Sequence, residues 1–458
     1  MSHLPRATTA SSRLPRGFAD PFTRSVSRFL HIESLGGMLL LLATLIALAA
    51  ANSPWAHAYE RFWELPLGVR FGDLDFTRAV REWIGDGLMT LFFFVVALEL
   101  KRELVLGELR SPRQAAFSIA AAVGGMLVPA GLYLLLQGGE VGAHGWGAVM
   151  ATDTAFVIGC LALLGRRVPQ RLRVFLLSLA IVDDIGAILV VAIGYSGPIS
   201  WGALAIGAGG LVCVRVLAVV GIRNVAVYVL VGGACWVAID ASGLHATITG
   251  VCLGLLTPAR AWVSQSRLRR ILGRMEAVPN GDARVDADTA RASWVLAGAA
   301  VRETMSPVER LELTLHPWVS VLVMPLFALA NAGIPLSGAD PANPVALAIV
   351  LGFAVGKPLG VVSFAWLAVR VGMARRPAGI GWRMLVGAGF LAGIGFTMAL
   401  FIADLAFDAA TIDGAKLGVL VASAVSAVIG ITVMAWPVGG SRGVASCNAP
   451  GGQEPVPR

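Results

Sequence analysis

Ala151-Thr-Asp-Thr-Ala-Phe156 and, one apolar run later, Leu179-Ala-Ile-Val-Asp-Asp-Ile-Gly186 carry Asp153, Asp183 and Asp184 in sequence otherwise free of charge. Far downstream, Gly356-Lys-Pro-Leu-Gly360 puts Lys357 in a similarly apolar setting. An ionisable group in hydrocarbon costs at least ~2.5 kcal/mol. A set of such groups with complementary charges marks a functional site, and the long apolar runs around them place that site inside a membrane.

The rest of the chain agrees. Of its 458 residues, 57% are hydrophobic and 14% are charged, and the low charge excludes an ordinary soluble domain. The net charge of +8 does not point to nucleic acid, because the basic residues lie in short clusters between apolar runs. Cys160, Cys213, Cys235 and Cys252 are scattered through apolar sequence and Cys447 lies near the end. Their spacing suggests neither a metal site nor a disulfide framework, and no cofactor is expected.

Runs of ~20 apolar residues predict an all-α integral membrane protein of twelve transmembrane helices. They fall at about 35–52, 79–100, 114–136, 146–164, 172–194, 200–220, 224–239, 243–257, 311–333, 344–369, 383–405 and 416–436. The first reads as an uncleaved span rather than a secretory signal, since many spans follow it. The seventh and eighth are short, and the fourth and eleventh are interrupted by polar or Gly-rich sequence. Those interruptions occupy the same place in the sets 3–5 and 10–12. Such a pair points to inverted-topology repeats with two interrupted helices crossing at the midplane. Residues 1–32 read as a disordered basic tail, 33–436 as the membrane domain and 437–458 as a second disordered tail. Residues 258–310 read as a long loop with a short helix near 289–302. Leu65 to Phe76 alternates around Gly72-Asp73, which predicts a small extracytoplasmic β-hairpin with a pairing edge. With the N-terminus inside, 30 Lys and Arg fall in inside segments and 5 outside, with Lys357 left in the membrane. That asymmetry puts both termini and the 258–310 loop in the cytoplasm.

The acidic pair suggests the chemistry. Neighbours on a helix point about 100° apart, so Asp183 and Asp184 address different surroundings. Carboxylate oxygens suit hard cations such as Na⁺. Two carboxylates in one dry site repel, so protons and cations compete to neutralise them. Thr152 and Thr154 flank Asp153 and favour a local helix break, tolerable at membrane depth only beside a protein-lined cavity. Asp153 then either neutralises the positive end of a half-helix or ligates the ion directly. The natural partner of Lys357 is one of the pair. Gly387, Gly389, Gly393 and Gly395 allow backbones to cross closely. Glu99, Arg102 and Glu103 end the second span, where they either sense pH or form a solvated helix end. Asp86, His245, Glu312 and His316 are weaker candidates.

Several stretches together resemble the NhaA family of bacterial Na⁺/H⁺ antiporters. They are the two aspartate stretches, Gly356–Gly360, Gly393-Ile-Gly-Phe-Thr-Met398, Leu98-Glu-Leu-Lys-Arg-Glu103, His316-Pro-Trp318 and Phe327-Ala-Leu-Ala-Asn-Ala-Gly333. The similarity spans about residues 33–436. It implies electrogenic exchange of internal Na⁺ or Li⁺ for external H⁺, in a homodimer joined by the hairpin in the bacterial inner membrane. It implies that Asp184 leads ion binding and that Asp183 joins it or pairs with Lys357. Thr152 and Asp153 then lie at the helix crossing, and Glu99, Arg102, Glu103 and Glu312 form a cytoplasmic pH-response region. The chain departs from the family pattern at Ala97, Leu313 and Thr314 and in the length of its 258–310 loop. Two other readings compete: a same-fold Na⁺-coupled transporter of an organic anion, and an intramembrane aspartyl protease. The compact charged set argues against the first. The absence of a Gly-x-Gly-Asp stretch, and a lysine without a role, argue against the second.

Overall fold

The computed structural model describes residues 27–71, 74–105, 107, 112–222, 224–259, 266, 270, 305–336, 343–377 and 379–436. The C-terminal tail, residues 1–26 of the N-terminal tail, the 289–302 helix and the Gly72-Asp73 turn lie outside the described residues.

Helix α1 (Ser27–Ala51) starts inside the stretch expected as tail. The chain then turns through 118° into α2 (Ala56–Trp63), a short helix the sequence reading did not anticipate. Tyr59 of α2 donates its hydroxyl to the Leu329 carbonyl and so ties this turn to the bundle. Strands β1 (Pro66–Phe71) and β2 (Leu74–Ala79) pair antiparallel, with Val69 opposite Phe76 and Leu67 opposite Arg78. The hairpin therefore runs three residues beyond the expected 65–76 before α3 (Val80–Val105) begins.

The remaining helices are α4 (Pro112–Gln137), α5 (Thr154–Leu164), α6 (Gln170–Gly194), α7 (Trp201–Val220), α8 (Val225–Asp240) and α9 (Thr247–Leu256). After the long loop come α10 (Pro307–Asn331), α11 (Pro344–Arg370), α12 (Trp382–Ala392), α13 (Phe396–Ala406) and α14 (Ile412–Ala435). Among the described residues, seven helices are long and apolar enough to cross a membrane, or up to ten if each bent pair makes one span. Helices α8 and α9 are shorter apolar helices, in line with the two short runs in the sequence.

Helix starts follow local chemistry. The Asn224 side chain accepts from Ala226 N–H at the head of α8, and Asn343 does the same for Val345 in α11. Ser306 and Glu309 cap each other's backbone at the head of α10. Glycines let the central helices touch. A Cβ on Gly356 of α11 would come within 2.8 Å of Pro129 Cα on α4, and one on Gly389 of α12 within 2.9 Å of Pro358 Cα. Around this centre, α3 packs on α9 and α10, α7 on α8, and both α12 and α13 on α14.

Besides the α1–α2 turn, two further helix pairs among the described residues are bent at a break. The 3₁₀ segment Val141–Val149 meets α5 at a bend of 46°, and α12 meets α13 at a bend of 45°. Helix α11 stays continuous but widens to a π-turn over Gly352–Gly356, directly before Lys357-Pro358. Pro358 has no N–H to donate, and the wider turn absorbs that gap in the ladder.

Candidate functional site

The two breaks cross each other. Asp153 N–H donates to the Ile394 carbonyl at 2.6 Å, joining one interruption to the other. The Asp153 carboxylate then serves both half-helices. Its Oδ1 accepts from Phe156 N–H of α5 at 3.0 Å. Its Oδ2 accepts from Thr397 N–H at 3.0 Å and from Thr397 Oγ1 at 2.5 Å on α13. A helix N-terminus carries roughly half a positive charge. One carboxylate facing two of them meets donors on both of its oxygens.

The neighbouring groups are not balanced. Lys357 Nζ lies 2.8 Å from Asp183 Oδ2, and neither side chain has any exposure. Lys357 also donates to the Met150 carbonyl at the end of the first break. Thr152 Oγ1 lies 2.6 Å from Asp183 Oδ2 and 2.8 Å from the Ala392 carbonyl. It has one proton to give, so Asp183 and the open end of α12 compete for it. Asp184, the next residue of α6, is 3% exposed, and its Oδ1 has no hydrogen-bond partner. Asp183 Oδ1 is likewise without a partner. One lysine thus stands against two adjacent buried carboxylates. Among the described residues no group of three or more His, Cys, Asp or Glu is arranged to hold a metal. A cation here would complete its shell from hydroxyl and carbonyl oxygens.

The second predicted group also comes together, away from the first. Arg102 pairs with Glu312, which is 1% exposed although Arg102 itself is 37% exposed. Arg102 Nη2 lies 3.8 Å from Glu103 Oε1, and His316 Nε2 lies 3.5 Å from Glu99 Oε1. This cluster bridges α3 and α10. A third set forms at the hairpin. Arg78 of β2 contacts Asp86 Oδ2 at 2.6 Å and also pairs with Asp240, with the rings of Phe76 and Trp236 beside its guanidinium. His245 Nε2 lies 3.8 Å from Asp86.

Comparison with known proteins decides the family. The family model for Na⁺/H⁺ antiporter 1 matches residues 27–434. The chain is 60% identical over 422 residues to Na(+)/H(+) antiporter NhaA 2 of Acidiphilium cryptum (strain JF-5), covering 92% of this chain and 94% of that protein. It is 57% identical to Na(+)/H(+) antiporter NhaA of Rhizobium meliloti (strain 1021), covering 92% and 97%. It is 52% identical to Na(+)/H(+) antiporter NhaA 2 of Vibrio vulnificus (strain CMCP6), covering 94% and 96%. The chain belongs to the NhaA family of Na⁺/H⁺ antiporters. It is a multi-pass membrane protein, and these NhaA relatives lend no support to the organic-anion or protease readings.

Some polar and charged residues of this NhaA chain, at the site and away from it, escape the sequence reading. Thr397 stands in the sequence reading only as part of the Gly393–Met398 stretch, although a hydroxyl just after a helix break is placed to bond groups at that break. Arg78 and Asp240 went unremarked, although each abuts an apolar run. Asp404 sits in Ala403-Asp-Leu-Ala406, as apolar a setting as that of Asp183. It pairs at 2.7 Å with Lys416. Lys416, the first residue of the expected 416–436 span, lies within α14 and is 6% exposed.

Proposed function

We propose that this protein exchanges cytoplasmic Na⁺, and Li⁺ in its place, for external H⁺ across a bacterial inner membrane. In this reading α8 and α9 complete twelve passes, the broken spans belong to inverted repeats, and both termini face the cytoplasm. The protein works as a homodimer in which the hairpins pair. The observation that carries the proposal is the charge imbalance at Asp183, Asp184 and Lys357 beside the crossing.

The argument runs through charge. Asp153 is satisfied by two helix ends and keeps the crossing together, a role its two occupied oxygens favour over direct ligation. Lys357 satisfies one carboxylate of the pair. The other must take up either a proton or a cation, because an isolated buried carboxylate is far too costly. Asp184 is that group. A proton on Asp184 and a Na⁺ held by Asp184, Asp183 and Thr152 are mutually exclusive ways of neutralising the same site. Alternation between them, with the site opening to one side at a time, is exchange.

The exchange moves net charge only if more protons than sodium ions cross per cycle. One proton leaves Asp184. A second leaves the Asp183–Lys357 pair when Na⁺ draws Asp183 away from the ammonium, and Lys357 is the candidate carrier.

The direct test uses proteoliposomes that hold a pH gradient. Added Na⁺ or Li⁺ should dissipate the gradient without any organic solute, and K⁺ should not. A gradient indifferent to Na⁺ at every pH between about 6 and 9, a range spanning the ordinary histidine and cysteine titrations, would overturn the reading.

A further inference from the structure

Helix α13 is fastened to α14 at two points. At the crossing end, Phe396 N–H donates to Ser423 Oγ at 3.2 Å. At the far end, Asp404 Oδ1 meets Lys416 Nζ at 2.7 Å. Phe396 and Asp404 are separated by about two helical turns on α13, and Lys416 and Ser423 by about two on α14. The fasteners are therefore in step along two antiparallel helices. Sliding or rotating one helix on the other breaks at least one of them.

The far fastener is unusual in its sign. Asp404 lies in the last turn of α13, whose C-terminus is the negative end of the helix dipole. Lys416 lies near the start of α14, the positive end of its own helix. Each charge is thus on the less favourable end, and neither helix alone accounts for the residue it carries. Lys416 is nonetheless 6% exposed. What accounts for the two residues is each other. Arg81 of α3 lies within electrostatic reach of the same carboxylate, as a second and weaker counter-charge.

The opposite end of α13 carries Thr397, whose N–H and hydroxyl hold Asp153 Oδ2. We propose that the Asp404–Lys416 pair, working with Phe396–Ser423, makes α13 and α14 one rigid body, and that Asp404 and Lys416 are positioning residues that keep Thr397 against Asp153 during exchange. The proposal rests on the antiporter reading. It adds two residues remote from the ion, and it treats the half-helix as carried by α14 rather than moving alone.

The experiment measures Na⁺-driven exchange in proteoliposomes at fixed pH, as apparent KM and maximal rate, together with the melting temperature of each purified variant. Asp404→Asn should raise the Na⁺ KM by about fivefold or more, the lower end of ordinary site-to-site coupling, while the maximal rate changes less. Lys416→Gln should do the same to a smaller degree, because Arg81 remains to face Asp404. The exchanged pair Asp404→Lys with Lys416→Asp is decisive. It restores the contact and places each charge on the favourable end of its helix, while the new ammonium at position 404 faces Arg81 with like charge. Its KM should return to within about twofold of the wild type, a difference below one ordinary pairwise coupling, and its melting temperature should recover most of what the single variants lose.

Single variants with wild-type KM would overturn the proposal. So would an exchanged pair that melts like the wild type yet keeps the raised KM. Either result leaves wild-type exchange intact. Failure of the antiporter reading instead shows as a wild-type protein that ignores Na⁺ in the same vesicles, with the melting temperatures still reporting whether the pair fastens the helices.

Discussion

The crossing and the α3–α10 cluster each gather several acids around few bases, yet they solve the same electrostatic problem in opposite ways. At the crossing, Asp153, Asp183 and Lys357 are wholly buried and Asp184 is 3% exposed. Every charge must be met by protein, proton or ion. At α3–α10, only Glu312 is buried, and Arg102, Glu103 and Glu99 retain contact with solvent. Water and salt screen an imbalance there within about 10 Å. A shortage of counter-charge in the dry cluster is thus a demand for an ion. The same shortage in the wet cluster carries little energy. Under the proposed function, the comparison places exchange at the crossing and, at most, modulation at α3–α10.

The strongest way to break this comparison is Asp184→Asn. The amide keeps the shape and removes the charge, and Asp184 Oδ1 has no hydrogen bond to lose. Exchange should vanish while insertion and melting temperature hold. Na⁺-driven proton movement surviving in this variant would show that the imbalance is not what binds the ion.

Next comes Lys357→Gln. It leaves Asp183 buried without its cation, and breaking a buried pair in this way costs about 3–5 kcal/mol. The melting temperature should fall clearly unless Asp183 takes up a proton. If Lys357 is the second proton carrier, the remaining exchange should lose its dependence on membrane potential. Unaltered voltage dependence would move that role to Asp183.

Asp153→Ala should act on stability before it acts on ion affinity. It removes one cap from α5 and one from α13, each worth about 1 kcal/mol. Asp153→Asn keeps a short acceptor and should recover part of the loss. If Asp153 is instead a direct ligand, the Asn variant should be as impaired in Na⁺ KM as the Ala variant while melting near the wild type.

Much of this was legible in the sequence, for stated reasons. The span limits follow from apolar run length, so α6 and α11 fall within a few residues of expectation. Asp183, Asp184 and Lys357 stood out because charge in hydrocarbon is rare. The partner of Lys357 was narrowed to the pair, and the structure selects Asp183. The two roles left open for Asp153 could not be separated, because two of its three acceptor bonds come from Thr397, 244 residues away. Helix α2 was missed because eight residues are too few for a periodic signal. Asp404 was missed by failing to apply to it the rule that found Asp183.

The hairpin lies apart from both clusters and offers a control. Deleting residues 65–76 should yield monomers that still exchange Na⁺ for H⁺, since every group at the crossing belongs to one chain. A dimer persisting in native mass spectra would show that the hairpin is not the joint. Lost exchange in a folded monomer would show that the site depends on the partner copy.

The finest test sets the two clusters against each other as the source of pH control. If control arises at the crossing, H⁺ and Na⁺ compete for the same oxygens. Once pH falls below the point where the carboxylate takes up its proton, each further unit should raise the Na⁺ KM about tenfold per proton displaced. The sign follows from charge: the protonated acid is neutral and no longer holds the cation. Saturating Na⁺ should restore the maximal rate at any pH. If control arises at α3–α10, acid shuts the protein itself, and no Na⁺ concentration restores the rate. Measuring rate against Na⁺ at several pH values, with equal pH on both sides, separates the two. Glu312→Gln then sharpens the result, because it removes the buried acid of the outer cluster and leaves the crossing untouched. Competition forecasts the same KM slope with pH in this variant as in the wild type. A maximal rate that collapses in acid in the wild type, and recovers in Glu312→Gln, would transfer the control to α3–α10. The resemblance marks Leu313 and Thr314, next to Glu312, as departures from the family pattern, which favours competition in this chain.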